Sequence, residues 1–313
     1  MSENPKIALV GTGAIGASWA AAFLARGFTV TATDPVPGAE AAARAAIATH
    51  WPALAMLGTA PGAAPDDLRW AATLADCIAG ADLVLENGPE RIDFKRDIFA
   101  QMDRLADAHT ILASSSSTLM PSEYQRDCTN HPGRVILAHP FYPPHLIPLV
   151  EVVGGAASDP VAITRAMDIL AAAGKKPIRL AREIRGHIAN RLQAALWQEA
   201  YHLVDQGVAS VSDIDTAIAH GPGLRWALLG PFLTQHLSGG PGGLAHVLAH
   251  LGPPTEAMWR DLGQVHLTPE LIAKLVEGVA DELADRPLDQ MVAARDAVLQ
   301  TLVRLKSAQP LLP

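Results

Sequence analysis

Lys6-Ile7-Ala8-Leu9-Val10-Gly11-Thr12-Gly13-Ala14-Ile15-Gly16 is a short apolar run that breaks into three glycines spaced G-x-G-x-x-G. In a strand–turn–helix unit each glycine has its own task. The first permits the tight turn, the second lets the backbone approach a pyrophosphate, and the third lets helix and strand pack closely. The amides of Gly13, Ala14, Ile15 and Gly16 then open a helix at its positive end, where an anion is favoured. The next β-rich run, Thr29–Thr33, is followed by Asp34, placed where a carboxylate accepts hydrogen bonds from an adenosine ribose. No Lys or Arg stands between Asp34 and Arg44, so nothing local is expected to hold a 2′-phosphate. The stretch therefore predicts a Rossmann-type nucleotide site that takes NAD rather than NADP.

Outward from this unit, β-rich runs recur at 83–86, 111–114, 135–138, 149–153 and 176–180, most of them separated by helical stretches. That alternation predicts an α/β fold, a doubly wound parallel sheet with helices on both faces. An Ala- and Pro-rich segment, 38–67, reads as helix in its first half and loop in its second. Strand signals then fade, and from Gly186 the period is helical, beginning with an amphipathic stretch over 187–206. Gly207 suits a C-cap, and Ser212-Asp213-Ile214-Asp215 begins another helix with an acidic first turn. Gly221-Pro222-Gly223 and the glycine-rich 238–243 punctuate the later helices. The expected architecture is an NAD-binding Rossmann domain over 1–185 and an all-helical domain over 186–313.

Composition narrows the function classes. The 313 residues are 49% hydrophobic, enough for sizeable cores, and carry a formal net charge of -8 with no basic run, which argues against a nucleic-acid surface. Two distant cysteines, Cys77 and Cys128, do not make a disulfide framework. Met1-Ser2-Glu3-Asn4-Pro5-Lys6 leads straight into a strand without a signal-peptide pattern, and no apolar run is long enough to span a bilayer. A cytoplasmic protein without membrane contact is expected. His246 and His250 share a helical face, but no Glu stands between them as a HExxH zinc motif requires, so no metal is expected.

Chemistry enters with Leu137-Ala138-His139-Pro140-Phe141-Tyr142-Pro143-Pro144-His145-Leu146-Ile147-Pro148-Leu149-Val150-Glu151. Oxidising an alcohol with a nicotinamide needs a base for the hydroxyl proton, and an imidazole titrates near neutral pH. If Pro143, Pro144 and Pro148 turn the chain back, Glu151 comes near His139 and can fix its tautomer. Spacing alone leaves a catalytic and a structural His139 equally open. Ser114-Ser115-Ser116-Ser117-Thr118 follows a strand at the carboxyl edge where doubly wound sheets bind ligands. Asn190, in the first turns of the long helix, belongs either to an exposed face or to a cleft.

These motifs, in this order, resemble the 3-hydroxyacyl-CoA dehydrogenase superfamily from Lys6 to about Gly252. The resemblance implies that His139 is the catalytic base and Glu151 its orienting partner. It implies that Ser117 and Asn190 bond the substrate oxygen and the nicotinamide end of the site, and that Glu90 and Lys95 contact NAD. It also implies a homodimer formed through the helical domain, with the site between the domains. Two departures stand out. Tyr142 replaces an Asn of the acyl-CoA enzymes, and no Lys occurs between Lys6 and Lys95, where those enzymes present lysines to CoA phosphates.

The chain is more similar to the branch acting on free 3-hydroxy acids. Asp34-Pro35-Val36-Pro37-Gly38-Ala39-Glu40, Trp51-Pro52-Ala53-Leu54, Ala60-Pro61-Gly62-Ala63-Ala64 and Gly223-Leu224-Arg225-Trp226 resemble the L-carnitine enzymes. The serine run continued to Ser122, Pro143-Pro144, and Gly230-Pro231 with His236 resemble the L-gulonate 3-dehydrogenases and their lens relative lambda-crystallin. The expected reaction is NAD-dependent oxidation of a small L-3-hydroxy acid to its 3-keto acid, with L-carnitine favoured and L-gulonate the alternative. An acyl-CoA substrate and a non-catalytic NAD-binding role are further alternatives. A quaternary ammonium wants aromatic faces, for which Tyr142, Trp226 and Phe232 are candidates, or else core residues. Arg225 is either a clamp for the substrate carboxylate or a surface cation.

Overall fold

The structure, a computed structural model, describes residues 5–312, so Met1–Asn4 of the stretch read for a signal peptide lie outside it. The chain divides into two compact units, one ending at Arg191 and the other starting at Leu192. The first runs β1 (Lys6–Val10), α1 (Ala14–Ala25), β2 (Thr29–Thr33), α2 (Ala39–Leu57), β3 (Arg69–Trp70), α3 (Leu74–Ile78) and β4 (Leu83–Glu86). It continues with α4 (Ile92–Leu105), β5 (Ile111–Ser114), α5 (Pro121–Gln125), β6 (Val135–Pro140), β7 (Leu149–Gly154), α6 (Pro160–Ala172) and β8 (Lys176–Arg179). One sheet collects all of these strands in the order β3-β2-β1-β4-β5-β6-β7-β8.

The sheet is parallel from β3 to β6. There the parallel pairing ends: β7 runs antiparallel to β6, and β8 follows β7 in parallel. The physical reason is length. The connection 141–148 is shorter than the dozen or more residues that a parallel crossover needs, so the chain must fold back as a hairpin. The two-residue β3 at the sheet's edge was not expected; a run of two carries no readable alternation.

Both faces of the sheet are covered, as alternating side chains require. From β1, Ile7 and Leu9 enter one core with Trp19, Phe23, Val30, Leu83, Leu85, Ile47 and Leu170. Ala8 and Val10 enter the opposite one with Ile78, Val84, Phe99, Met102, Leu112 and Tyr124. Helix α1 is buried from Gly16 to Ala25, which suits its nearly uninterrupted run of small and apolar residues.

The second unit is helical. It takes up α7 (Ala189–Asp205) after that helix's first residues and adds α8 (Val211–His220), α9 (Pro222–Trp226), α10 (Pro231–Ser238), α11 (Gly243–Asp261), α12 (Pro269–Leu283) and α13 (Leu288–Ser307). Ser210 caps α8 through its side chain, and Gly207 takes the left-handed conformation after α7 (φ 69). Helix α7 starts two residues later than its period suggests, because Gly186 and His187 are both left-handed, at φ 74 and φ 51. Residues 186–191, assigned by period to the helical domain, fall in the first compact unit. No helix among the described residues is long and apolar enough to cross a membrane.

Candidate active site and nucleotide cradle

The glycine turn is built as its spacing demands. Gly11 sits at φ +91, where a Cβ would also meet the Asn87 carbonyl carbon at 3.0 Å, and a Cβ on Gly16 would strike the Gly11 carbonyl oxygen at 2.0 Å. Gly13 differs, since a Cβ there meets nothing within 4 Å and would stand in open space. It is the N-cap of α1, and no side chain caps the helix. The amides of Ala14 and Ile15, which begin α1, are thus left to a ligand, and only a glycine lets that ligand approach. The residues fit a dinucleotide pyrophosphate on this ground.

Asp34 stands just past β2. Its Oδ2 accepts from the Thr12 amide at 2.8 Å and the Thr12 hydroxyl at 3.2 Å, and its Oδ1 from the Val36 amide at 3.0 Å. The carboxylate thus braces the glycine turn at the same place from which it can receive ribose hydroxyls. Asp34, Val36, Glu40, Arg44 and Trp70 are among the residues lining a pocket there.

The reacting centre arises from the β6–β7 hairpin. In its antiparallel register His139 lies opposite Glu151, and directly opposed side chains share one face. His139 Nδ1 is 2.9 Å from Glu151 Oε2, and His139 Nε2 is 3.2 Å from Ser117 Oγ. A carboxylate can only accept, so Nδ1 carries the hydrogen and Nε2 keeps a lone pair, to which Ser117 donates. The second carboxylate oxygen, Oε1, accepts from the amides of Ile188 at 2.8 Å and Ala189 at 3.0 Å. These are donors at the start of α7, which the left-handed pair Gly186–His187 aims back at the sheet. Burial pushes the Glu151 carboxyl up, but the bonds from His139, Ala189 and Ile188 outweigh it and hold the group below the usual carboxylate range. Glu151 is fully buried and His139 nearly so, whereas Ser117 is exposed. A lone-pair nitrogen with an exposed hydroxyl beside it can take a proton from a bound alcohol.

Family models also divide the chain in two, a few residues before the break between the compact units. Residues 6–184 match the NAD-binding domain of 3-hydroxyacyl-CoA dehydrogenase, and residues 186–282 match its C-terminal domain. The chain belongs to the 3-hydroxyacyl-CoA dehydrogenase family. It is 46% identical to an L-carnitine dehydrogenase of Streptomyces griseus, over 97% of this chain and 91% of that one. Identity to an L-carnitine dehydrogenase of Pseudomonas putida is 42%, over 99% of this chain and 96% of that one. Among solved structures, an NAD-dependent dismutase, 5-formyl-3-hydroxy-2-methylpyridine 4-carboxylic acid 5-dehydrogenase, aligns with a TM-score of 0.84 at 25% identity, covering 98% of this chain and 99% of that one. This member of the family is an NAD-dependent dehydrogenase.

Within this family member, the other expected site residues fall in different places. Glu90 Oε1 accepts from the Ser116 hydroxyl at 2.6 Å and from the amide and hydroxyl of Thr118, both at 2.8 Å. Burial raises its pKa, but these bonds more than offset it and bring it below the ordinary value. Glu90 thereby shapes the serine loop that carries Ser117. Lys95 is 1% exposed, with its ammonium on both oxygens of Glu86, at 2.8 and 2.7 Å, and on the Gly88 carbonyl at 3.2 Å. An ammonium has three hydrogens, so none is left for a ligand. Lys95 thereby braces the Asn87–Gly88 turn, against which Gly11 packs.

Asn190 follows Ala189 in the first turn of α7 and is half-buried, while Tyr142 is 61% exposed on the β6–β7 loop. Arg225 and Trp226 end α9, and Phe232 is the second residue of α10, all in the second unit. Trp226 and Phe232 are exposed at 46% and 73%.

Three residues carried no readable signal in the chain. His187, buried beside His139 with ring centroids 5.0 Å apart, donates from Nε2 to the Ser116 carbonyl at 3.3 Å, and its Nδ1 has no partner. Burial and the neighbouring His139 lower its pKa. His145 bonds Ser18 of α1 at 2.9 Å and stacks on His50 of α2 at 3.9 Å, tying the β6–β7 loop to the cofactor helix. Lys175 ties the same loop from beneath, through the carbonyls of Pro144 and Ile147, and lies 5.2 Å over the Trp19 ring. Burial pushes its ammonium down to about 7, with the Arg26 charge adding to the effect. Each of these is an isolated polar residue whose partner lies tens of positions away.

Proposed function

We propose that this dehydrogenase converts a small free L-3-hydroxy acid to its 3-keto acid, and that L-carnitine is the favoured substrate. The observation that carries the chemistry is the hydrogen-bonded line Ser117–His139–Glu151. When bound, NAD accepts the hydride from the carbinol carbon. The protein's part is the proton. Nε2 of His139 takes it from the substrate hydroxyl, as the Ser117 hydroxyl turns from that nitrogen to the substrate oxygen. Glu151, kept ionised by its bonds from His139, Ala189 and Ile188, holds the ring's tautomer and stabilises the imidazolium. Asn190 supplies a further amide for the substrate oxygen or the nicotinamide end.

The substrate assignment is supported by relatives that carry the name L-carnitine dehydrogenase at 46% and 42% identity over nearly the whole chain. In this reading the exposed ring of Tyr142, in the same unit as His139, faces the quaternary ammonium. A CoA thioester is disfavoured by the absence of lysine between Lys6 and Lys95. L-Gulonate remains the second reading, supported by the serine run that continues to Ser122.

We also propose a homodimer formed through the helical unit. Among its described residues only Val204 and Leu271 are buried apolar side chains. Trp197, Trp259, Ile272 and Val276 are exposed at 45% to 66%. Covering each is worth roughly 1.5–3 kcal/mol, and monomers rarely leave such surface to water. The working compartment we propose is the cytoplasm, where the buried thiols of Cys77 and Cys128 stay reduced.

The test is NADH formation with L-carnitine, L-gulonate and L-3-hydroxybutyrate, beside NADH consumption with acetoacetyl-CoA. Fastest turnover of L-carnitine supports the assignment. Preference for L-gulonate or for the thioester would replace it, and NADH binding without any turnover would favour a non-catalytic role.

A further inference from the structure

Between Asp34 and Arg44 the chain carries no Lys or Arg, but Arg44 itself reaches the nucleotide pocket. Arg44, one turn of α2 beyond Glu40, lines the same pocket as Asp34. What keeps it from acting there is Glu40. Its Oε1 accepts from Arg44 Nε at 3.0 Å and from Nη2 at 2.9 Å, and Nη2 donates as well to the Leu68 carbonyl at 3.1 Å. We propose that Glu40 sets the preference for NAD over NADP in this pocket, by occupying the Arg44 guanidinium and by presenting a second carboxylate to any 2′-phosphate. The proposal rests on the reading of the glycine turn as a nucleotide cradle.

Charge and exposure decide the argument. With Glu40 in place the pocket wall carries two carboxylates, Asp34 and Glu40, against one cation. Without it, one cation faces one carboxylate, Asp34. The two side chains of the pair are 36% and 44% exposed, so their ion pair is solvated and contributes little to holding α2. A released guanidinium can then bond a phosphate with two parallel N–H donors, which a carboxylate at the same distance had pre-empted. Discrimination thus comes from an element that opposes the wrong ligand, as well as from Asp34, which welcomes the right one.

The experiment is fluorescence titration of NADH and NADPH into the full-length protein, without substrate. It compares the wild type, Glu40→Ala, Arg44→Ala and the double variant. Glu40→Ala should shift the NADPH-to-NADH affinity ratio toward NADPH by at least about tenfold, the scale of one charge-assisted contact. Arg44→Ala in that background should remove the gain. A ratio in Glu40→Ala within about twofold of wild type, or a gain that survives loss of Arg44, overturns the proposal. Glu40→Ser repeats the test should the alanine variant fail to fold. Failure of the wild type to bind NADH at all would remove the cradle reading and this proposal with it, an outcome distinct from an unchanged ratio.

Discussion

Glu151 holds His139 from directly across the antiparallel β6–β7 pair, Oε2 to Nδ1 at 2.9 Å, while its other oxygen is held by the first amides of α7. One carboxylate therefore joins sheet, base and helix start. His139→Ala should lower kcat by about 10²- to 10⁴-fold, the range of general acid–base catalysis, and Glu151→Gln by at least tenfold. NADH affinity measured by fluorescence should change little, because neither residue lies at the glycine turn. Near-normal turnover in both variants would refute the assignment.

The glycines of the cradle should separate stability from binding. Gly16→Ala drives a Cβ against the Gly11 carbonyl at 2.0 Å, so its Tm should fall by several degrees. Gly13→Ala meets nothing in the protein and should keep the wild-type Tm while weakening NADH at least about tenfold. Asp34→Ala should weaken NADH as well. Unchanged NADH affinity in Gly13→Ala would place the pyrophosphate elsewhere.

His187 should make the fold sensitive to mild acid. Burial first, then His139, lowers its pKa from 6.5. The unfolded chain therefore takes up a proton on this group before the folded one does, and stability drops as pH falls below 6.5 toward the folded value. His187→Phe deletes that term, so urea unfolding should show a shallower loss on acidification. Stability at neutral pH should fall by no more than about 1 kcal/mol, since the unpartnered Nδ1 leaves with the ring. An unaltered pH slope would count against the shift.

Lys175 acts in a different window. Its folded pKa of about 7 lies below the ordinary 10.5, so between those values the unfolded state binds more protons and stability should rise with pH. Lys175→Met should flatten that rise, read from unfolding free energies at intervals across the window. A rise of the same steepness in the variant would mean that other groups produce it.

The exposed apolar faces of the helical unit predict a self-association measurable without any ligand. Sedimentation should give twice the chain mass at micromolar concentration. Trp259→Asp, at a side chain 66% exposed in the single chain, should shift the mass toward the monomer if that ring lies in the interface. A monomer at all concentrations would remove the dimer from the proposal.

Much of this was legible in the chain because it is local. The G-x-G-x-x-G spacing, the alternation of strand and helix, the start of a helix near Ser212 and the stop at Gly207 follow from backbone preferences within a few residues, although the cap itself is Ser210. His139 and Glu151 could be paired because only a short proline-rich turn separates them. The reversal of β7 was open to the same reasoning, since the connection 141–148 is too short for a crossover, yet the apolar pattern of the strand itself does not report direction.

What tertiary structure decided is what depends on residues far apart in the chain. That Lys95 pairs with Glu86, that Arg44 shares a pocket with Asp34, and that His187 lies against His139 are consequences of which faces meet. Periodicity names a face but not the polar group it will encounter. By itself the sequence determined the fold class, the nucleotide turn and the His–Glu pair, because each is written in spacing along the backbone. The three-dimensional fold decided which charges are spent on one another and which remain for a ligand, because burial and pairing are set by neighbours that spacing does not reveal.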